Sequence, residues 1–314
     1  MTLQQMEYIV AVDKYRHFIT AAEHCFVTQP TLSMMIQKLE EELDIKIFDR
    51  SKQPVITTEI GKLVIEQAQL ILRETIKLRD TIAEQKETLT GTLRLGIIPT
   101  IAPYLTPLFI REFSEKNPTF SLSIVELTTG KIIEQLKNDG LDVGIMATPL
   151  DDKDLLENPI FYEEFVVYAA PKEPILEKKN LLPTDIDPSR LILLEEGHCM
   201  RTQIINLCEL KKATSMISNV AYEAGSIETL KSIIHHNVGM TILPELAILD
   251  MDEGQMQYVR FFEKPAPVRE VSMVTHRTFI KKRLVEVLRS SILNTLPPQL
   301  QKPVEQKKVY RPRF

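Results

Sequence analysis

The sequence predicts two unlike parts in one chain: a small N-terminal helical module with a β wing, and a larger C-terminal α/β domain of two lobes, joined by a long helix. Three observations lead there. Residues 3–43 hold short helical patterns separated by tight junctions. Residues 60–88 hold a helical pattern with no Pro and no Gly beyond Gly61. From Thr92 onward, apolar strand-like runs alternate with helical stretches, which predicts an α/β domain with a mostly parallel sheet. A chain of 314 residues is long enough for a core in each part. The expected boundaries are 1–59 for the first module, 60–89 for the connecting helix and 90–296 for the α/β domain. Within the last, lobe I takes 92–163 and 269–296, and lobe II takes 164–268. Residues 297–314, rich in Pro, Gln, Lys and Arg, are expected to be a disordered tail.

Leu3, Met6, Ile9, Val10 and Val12 fit one face of a first short helix, and Thr20–Cys25 gives a second, with Ala21 and Ala22 small enough for close packing. Val27–Ser33 reads as a tight junction opening a third helix, with Thr28 or Gln29 at its cap and Pro30 in the first turn. Leu32, Ile36, Leu39 and Leu43 continue its apolar stripe. Two short helices joined tightly, the second opening on polar residues, satisfy the criteria for a helix-turn-helix whose second helix enters the major groove of DNA. Phe48–Thr58 reads as a two-stranded wing with Arg50 and Lys52. The long helix carries Leu63, Ala68, Leu70, Ile71, Ile76, Leu78 and Ile82, a stripe that needs a partner: a second copy of the chain, or its own domain. Strands are then expected at 92–97, 121–126, 141–147, 164–170, 191–194, 239–243 and 271–275. Helices are expected at 103–113, 131–137, 226–235 and 279–293. Ligands of two-lobed α/β domains settle beyond the carboxyl ends of parallel strands.

Composition is that of an ordinary globular protein, with 44% hydrophobic and 26% charged residues, and the formal net charge of −5 provides no bulk attraction to nucleic acid. No signal-like start and no run of 18 apolar residues is present, so a cytoplasmic protein without membrane contact is expected. No P-loop, Gly-x-Ser-x-Gly, dinucleotide glycine pattern or metal-ligand spacing occurs, so neither an enzyme nor a cofactor is expected. On the recognition helix, Gln29, Thr31, Ser33, Met34, Gln37 and Lys38 are the candidates to touch DNA, and Arg50 and Lys52 suit phosphates from the wing.

Of the three cysteines, Cys25 reads as a packing residue of the helical module. Cys199 follows an apolar run and Glu195-Glu196-Gly197-His198, on a loop or at a helix start, with Arg201 two residues on; a cation or a helix N-terminus there favours thiolate. Cys208 follows nine residues later. If 201–208 is helical, joining the sulfurs requires local unfolding, the coupling a redox switch needs. Two buried small hydrophobes are the alternative.

Phe18-Ile19-Thr20-Ala21-Ala22, Gln29-Pro30-Thr31-Leu32-Ser33, Leu39–Leu43, Phe48-Asp49-Arg50 and Thr57…Gly61 resemble, in order and spacing, the N-terminal signature of LysR-type transcription regulators. The resemblance implies a winged helix-turn-helix, a dimerising helix and a regulatory domain like periplasmic substrate-binding proteins. Asp44 stands where the family usually has Gly, and Ile47 where it has Leu; Asp tolerates the left-handed backbone of a tight turn. Gly197–Arg201 with Cys208, together with Ile98–Leu105, Ser226–Leu230 and Gly239–Pro244, is similar to the hydrogen-peroxide-responsive branch of that family, over roughly residues 1–296. That resemblance implies a peroxidatic Cys199, a resolving Cys208, and a peroxide site lined by Thr100, Thr129 and His198 with Arg201 and Arg269 nearby. It also implies an activator that binds a double-stranded DNA operator as a homo-oligomer, dimeric through the long helix and tetrameric overall, with RNA polymerase as a further partner. Thr202 stands where relatives often have an acid. The competing function is a LysR-type regulator controlled by a small metabolite between the lobes, since Thr100 and Thr128-Thr129 would serve a carboxylate equally well.

Overall fold

The computed structural model describes residues 1–85, 91–209, 216–217, 220–236, 239–301 and 308–310. The chain divides into two compact units, Met1–Glu87 and Thr88–Phe314.

The first unit opens with α1 (Leu3–Tyr15), whose Thr2 cap accepts from Gln5 N while Gln5 Oε1 accepts from Thr2 N, so two end amides are satisfied reciprocally. After α2 (Phe18–His24), α3 (Gln29–Leu43) begins behind Thr28, whose hydroxyl caps Thr31 N, with Pro30 in the first turn where its missing N–H costs nothing. Asp44 ends α3 at φ 52°, the left-handed turn expected of it. Ile9, Val12, Ala22, Leu32, Ile36 and Leu39 form the buried centre. The wing is a two-stranded antiparallel pair, β1 (Phe48–Asp49) and β2 (Ile56–Thr57). Gly61 lies so near it that a Cβ there would stand 2.2 Å from the Ile47 carbonyl oxygen, which locks the wing to the start of α4 (Glu59–Gln85). Ile65 and Ala68 of α4 are buried, whereas Leu63, Leu70, Ile76, Leu78 and Ile82 are exposed. The last expected residues of this helix lie outside the described ones.

The second unit runs β3 (Gly91–Ile97), α5 (Ala102–Lys116), β4 (Phe120–Glu126), α6 (Thr129–Lys137), β5 (Val143–Thr148), β6 (Leu155–Ala169), β7 (Asn180–Leu181), α7 (Cys199–Leu207), β8 (Met216–Ile217), β9 (Val220–Ala221), α8 (Ile227–His236), β10 (Met240–Pro244), α9 (Glu253–Met256), β11 (Val259–Phe262), β12 (Pro267–His276), α10 (Lys282–Thr295) and β13 (Lys308–Val309). In lobe I the order is β4-β3-β5-β12-β6, with β3 parallel to β4 and β5. β12 is antiparallel to both β5 and β6. The single strand β6 serves both lobes. Its first part pairs with β12, from Leu155 opposite His276 to Glu164 opposite Val268, and its last part pairs antiparallel with β10 and β11.

Four expectations need correction. The sheet is mixed rather than mostly parallel, because the two strands that pass between lobes, β6 and β12, run against each other. Leu191–Leu194 is not a strand: only isolated bridges join Leu191 to Met240 and Leu194 to Ala224. Its four apolar side chains are all buried, so the run marks packing rather than ladder pairing. The strand expected from Glu164 begins at Leu155, its early part disguised by Glu157, Asn158 and Pro159. The tail is also not wholly without structure: Leu300 is buried, and Lys308–Val309 adds a strand to β12. Residues 302–307 and 311–314 lie outside the described ones. Among the described residues no helix is long and apolar enough to cross a membrane.

Candidate functional site

Two surfaces collect the candidate residues, one in each unit. On α3, Gln29, Thr31, Met34, Gln37 and Lys38 are exposed and Ser33 is half-buried. Thr31 shares a hydroxyl hydrogen bond of 2.8 Å with Thr28, and Gln37 Nε2 donates to Glu41 Oε1 at 2.9 Å. Arg50 is tied down more firmly. Its guanidinium donates to Ser33 Oγ at 2.9 Å and to Glu40 Oε2 at 3.2 Å, and lies over the Phe18 ring at 4.9 Å. Glu40 is buried, and its other oxygen accepts from Ile47 N and Phe48 N, so this acid, which the sequence did not single out, fixes the wing to the recognition helix. Gln29, Ser33, Arg50 and Lys52 border a cleft of about 480 Å³ together with His17 and Tyr15. Cys25 is half-buried and packs on this unit's core; burial and the Glu7 charge push its thiol up.

The second surface is internal. α7 begins at Cys199 and is capped at its other end by Cys208, so the two thiols, both free, mark the two ends of one helix. Nine residues of helix separate them by roughly 13 Å along the axis, well past the about 7 Å between Cα atoms that a disulfide tolerates. The helix starts there because Gly197, at φ 96°, turns the chain without a Cβ beside Thr128, and His198 takes the extended cap position.

Thr129, the first residue of α6, is buried and is brought to the Cys199 sulfur, where its hydroxyl favours thiolate. The contact falls short of a well-formed hydrogen bond, and Thr129 Oγ1 has no other partner. Arg269 on β12 is wholly buried and contributes the cation that the thiol feels. Its Nη1 donates to Thr100 Oγ1 and its Nη2 to Thr100 O, both at 3.1 Å, so Thr100 joins the same cluster. Its Nε donates to Glu163 Oε1 at 2.7 Å, and Glu163 Oε2 accepts from Leu246 N at 2.9 Å. Glu163 was missed in the sequence, although a buried arginine requires a buried acid. Burial pushes the Cys199 thiol above its ordinary value, and Arg269, Thr129 and the helix amides oppose that without overturning it. Burial alone raises Cys208 to about 12.

His198 and Arg201 take other partners. Burial lowers the His198 imidazole against the pull of Glu195, so the ring is neutral at pH 7, and its Nε2 faces Glu195 Oε1 at 3.9 Å. Arg201 donates to Leu194 O at 2.7 Å and pairs with Glu223 at 3.0 Å; it ties the start of α7 to the preceding loop, while Arg269 is the cation at the sulfur.

The chain matches two family descriptions, "Bacterial regulatory helix-turn-helix protein, lysR family" over residues 3–62 and "LysR substrate binding domain" over 86–297. It is 34% identical over 276 residues to a hydrogen peroxide-inducible genes activator of Haemophilus influenzae, covering 87% of this chain and 90% of that protein. Among solved structures, a full-length OxyR variant from Pseudomonas aeruginosa superposes with a TM-score of 0.72 at 33% identity, covering 94% of this chain and 99% of that one. A hydrogen-peroxide-bound OxyR variant from Corynebacterium glutamicum gives 0.63 at 27% identity, covering 94% and 92%. With both units matched and nearly the whole of these relatives covered, the chain belongs to the LysR family of transcription regulators.

Proposed function

We propose that the protein is a DNA-binding transcription regulator that senses hydrogen peroxide by oxidation of Cys199 and a reversible Cys199–Cys208 disulfide. The observation that carries this is a buried thiol at a helix N-terminus beside a buried hydroxyl, Thr129, that lacks a partner, with a second thiol at the far end of the same helix. An orphaned hydroxyl costs about 1–3 kcal/mol, which a small polar molecule at the sulfur relieves. Thr100 and Thr129 orient the peroxide, and Arg269 with the end of α7 offsets the developing negative charge. The Cys199 thiolate attacks one peroxide oxygen; the O–O bond breaks, and the departing hydroxide takes up a proton and leaves as water. Cys208 then attacks the sulfur of the sulfenic acid, the S–S bond forms and a second water departs. The two thiols lose two electrons, and one peroxide gains them. Because the helix holds the sulfurs apart, the second step needs α7 to unwind, and that rearrangement is the signal.

The regulator acts in the cytoplasm on a double-stranded operator, read by Gln29, Thr31, Ser33, Met34, Gln37 and Lys38 and held through Lys52 and Arg50. The exposed apolar stripe of α4 supports a dimer, the tetramer follows the family pattern, and contact with RNA polymerase suits an activator. A carboxylate metabolite in the same place would make no use of the two thiols at the ends of α7. The test combines peptide mapping of peroxide-treated protein with operator footprints of both redox states. Cys199→Ser is expected to give one footprint with or without peroxide; a normal change of footprint in that variant overturns the sensing role.

A further inference from the structure

The family description ends at residue 297, yet the chain beyond it returns to the sheet. β5 leaves β12 at Glu270, and on the edge so vacated β13 pairs in parallel, Lys308 with Pro267 and Val309 with Val268. Tyr310 N donates to Val268 O at 3.1 Å, and its ring packs on the core. The docking point is immediately before Arg269, the cation of the thiol site.

A second bond reaches α7 itself. Gln203 Nε2 donates to Tyr310 O at 2.7 Å. Gln203 is fully buried, its Oε1 has no partner, and it stands four residues after Cys199, on the same helix face. Tyr310 is therefore what satisfies this carboxamide in the helical form; without it, a buried amide is left unpaired at both ends. A helix unwound to join Cys199 and Cys208 carries Gln203 away from Val268, and one tail carbonyl cannot follow while its own amide stays on β12.

We propose that the segment around Val309–Tyr310 is a strap that stabilises α7 in its dithiol form, is released when the disulfide forms, and thereby raises the oxidant level at which the protein switches. This rests on the disulfide reading above. Coupling is reciprocal: whatever the strap contributes to the dithiol form, the disulfide withdraws from docking of the strap.

Hydrogen exchange on the full chain, before and after peroxide, with disulfide mapping of the same samples, tests this. The Tyr310 amide is expected to lose about tenfold or more of its protection on oxidation. In a glutathione titration, a chain ending at Gln301 is expected to reach half-oxidation at an oxidant ratio lower by about fivefold, the equivalent of one hydrogen bond. Gln203→Met in the full chain should shift in the same direction, which keeps the test decisive if the shortened chain folds poorly. Unchanged protection at Tyr310 in a sample whose disulfide is mapped, or unshifted titrations in both variants, overturns the strap and leaves sensing intact. Absence of the disulfide from the mapping overturns sensing, and release of the strap with it.

Discussion

Arg269 has no exposure, yet it holds a charge between Glu163 and the hydroxyl and carbonyl of Thr100. Removing one member of such a buried pair strands the other. Arg269→Met is expected to destabilise the regulatory unit by about 3 kcal/mol in urea unfolding, and adding Glu163→Met should recover most of that; a single variant as stable as the parent would contradict the pairing. The thiol it faces is pushed up by burial, so at neutral pH it is mostly protonated. Its oxidation by peroxide should accelerate about tenfold per unit across roughly pH 7 to 8.5, as the thiolate fraction rises. A flat rate over that range would mean a thiolate already formed. Cys199, Cys208 and Thr100 were legible as candidates because each lay in a segment of familiar pattern, whereas Arg269 lay in none of those segments and came only with the family resemblance. Glu163 was not legible, because the pair Glu163-Glu164 looks like any solvated acidic step, and only the fold shows which of the two points inward.

Among the elements, the helical module follows its local rules closely. Thr2, Thr28 and Pro30 mark helix starts by caps and a first-turn proline that depend on neighbours within four residues, which is why they were readable. Asp44 is the one departure with a cost: its N–H bonds Glu41 O from a left-handed conformation that a side chain disfavours. Asp44→Gly should stabilise this unit by about 0.5–1 kcal/mol in thermal unfolding; a loss of stability would show that the carboxylate contributes something the backbone does not. Strand limits were read less well. Leu191–Leu194 and the start of β6 depend on which distant backbone lies alongside, and apolar content reports burial without reporting pairing. The docking of Tyr310 was illegible for the same reason, since Pro, Gln, Lys and Arg around it give no local signal.

At the scale of the whole molecule, division into a DNA-reading unit and a two-lobed unit was plain from the change of period after Gly91, whereas the antiparallel course of β6 and β12 was hidden because strand direction leaves no mark in composition. The exposed Leu63, Leu70 and Leu78 of α4 lack cover within the described chain. Leu70→Asp with Leu78→Asp should shift the protein to monomers in sedimentation and abolish binding to a two-half-site operator; an unchanged assembly would place the contact elsewhere. One feature of the interior also bears on what the cell's chemistry can deliver. Thr100, Thr129, Cys199 and Arg269 are each at most 4% exposed. Such an enclosure would act as a sieve: an oxidant hardly larger than water needs the smallest opening to reach the sulfur, while bulky organic hydroperoxides and alkylating reagents must wait for the domain to breathe. Selectivity among oxidants then comes from confinement, and the free thiol is spared side reactions during the long intervals when no alarm is due.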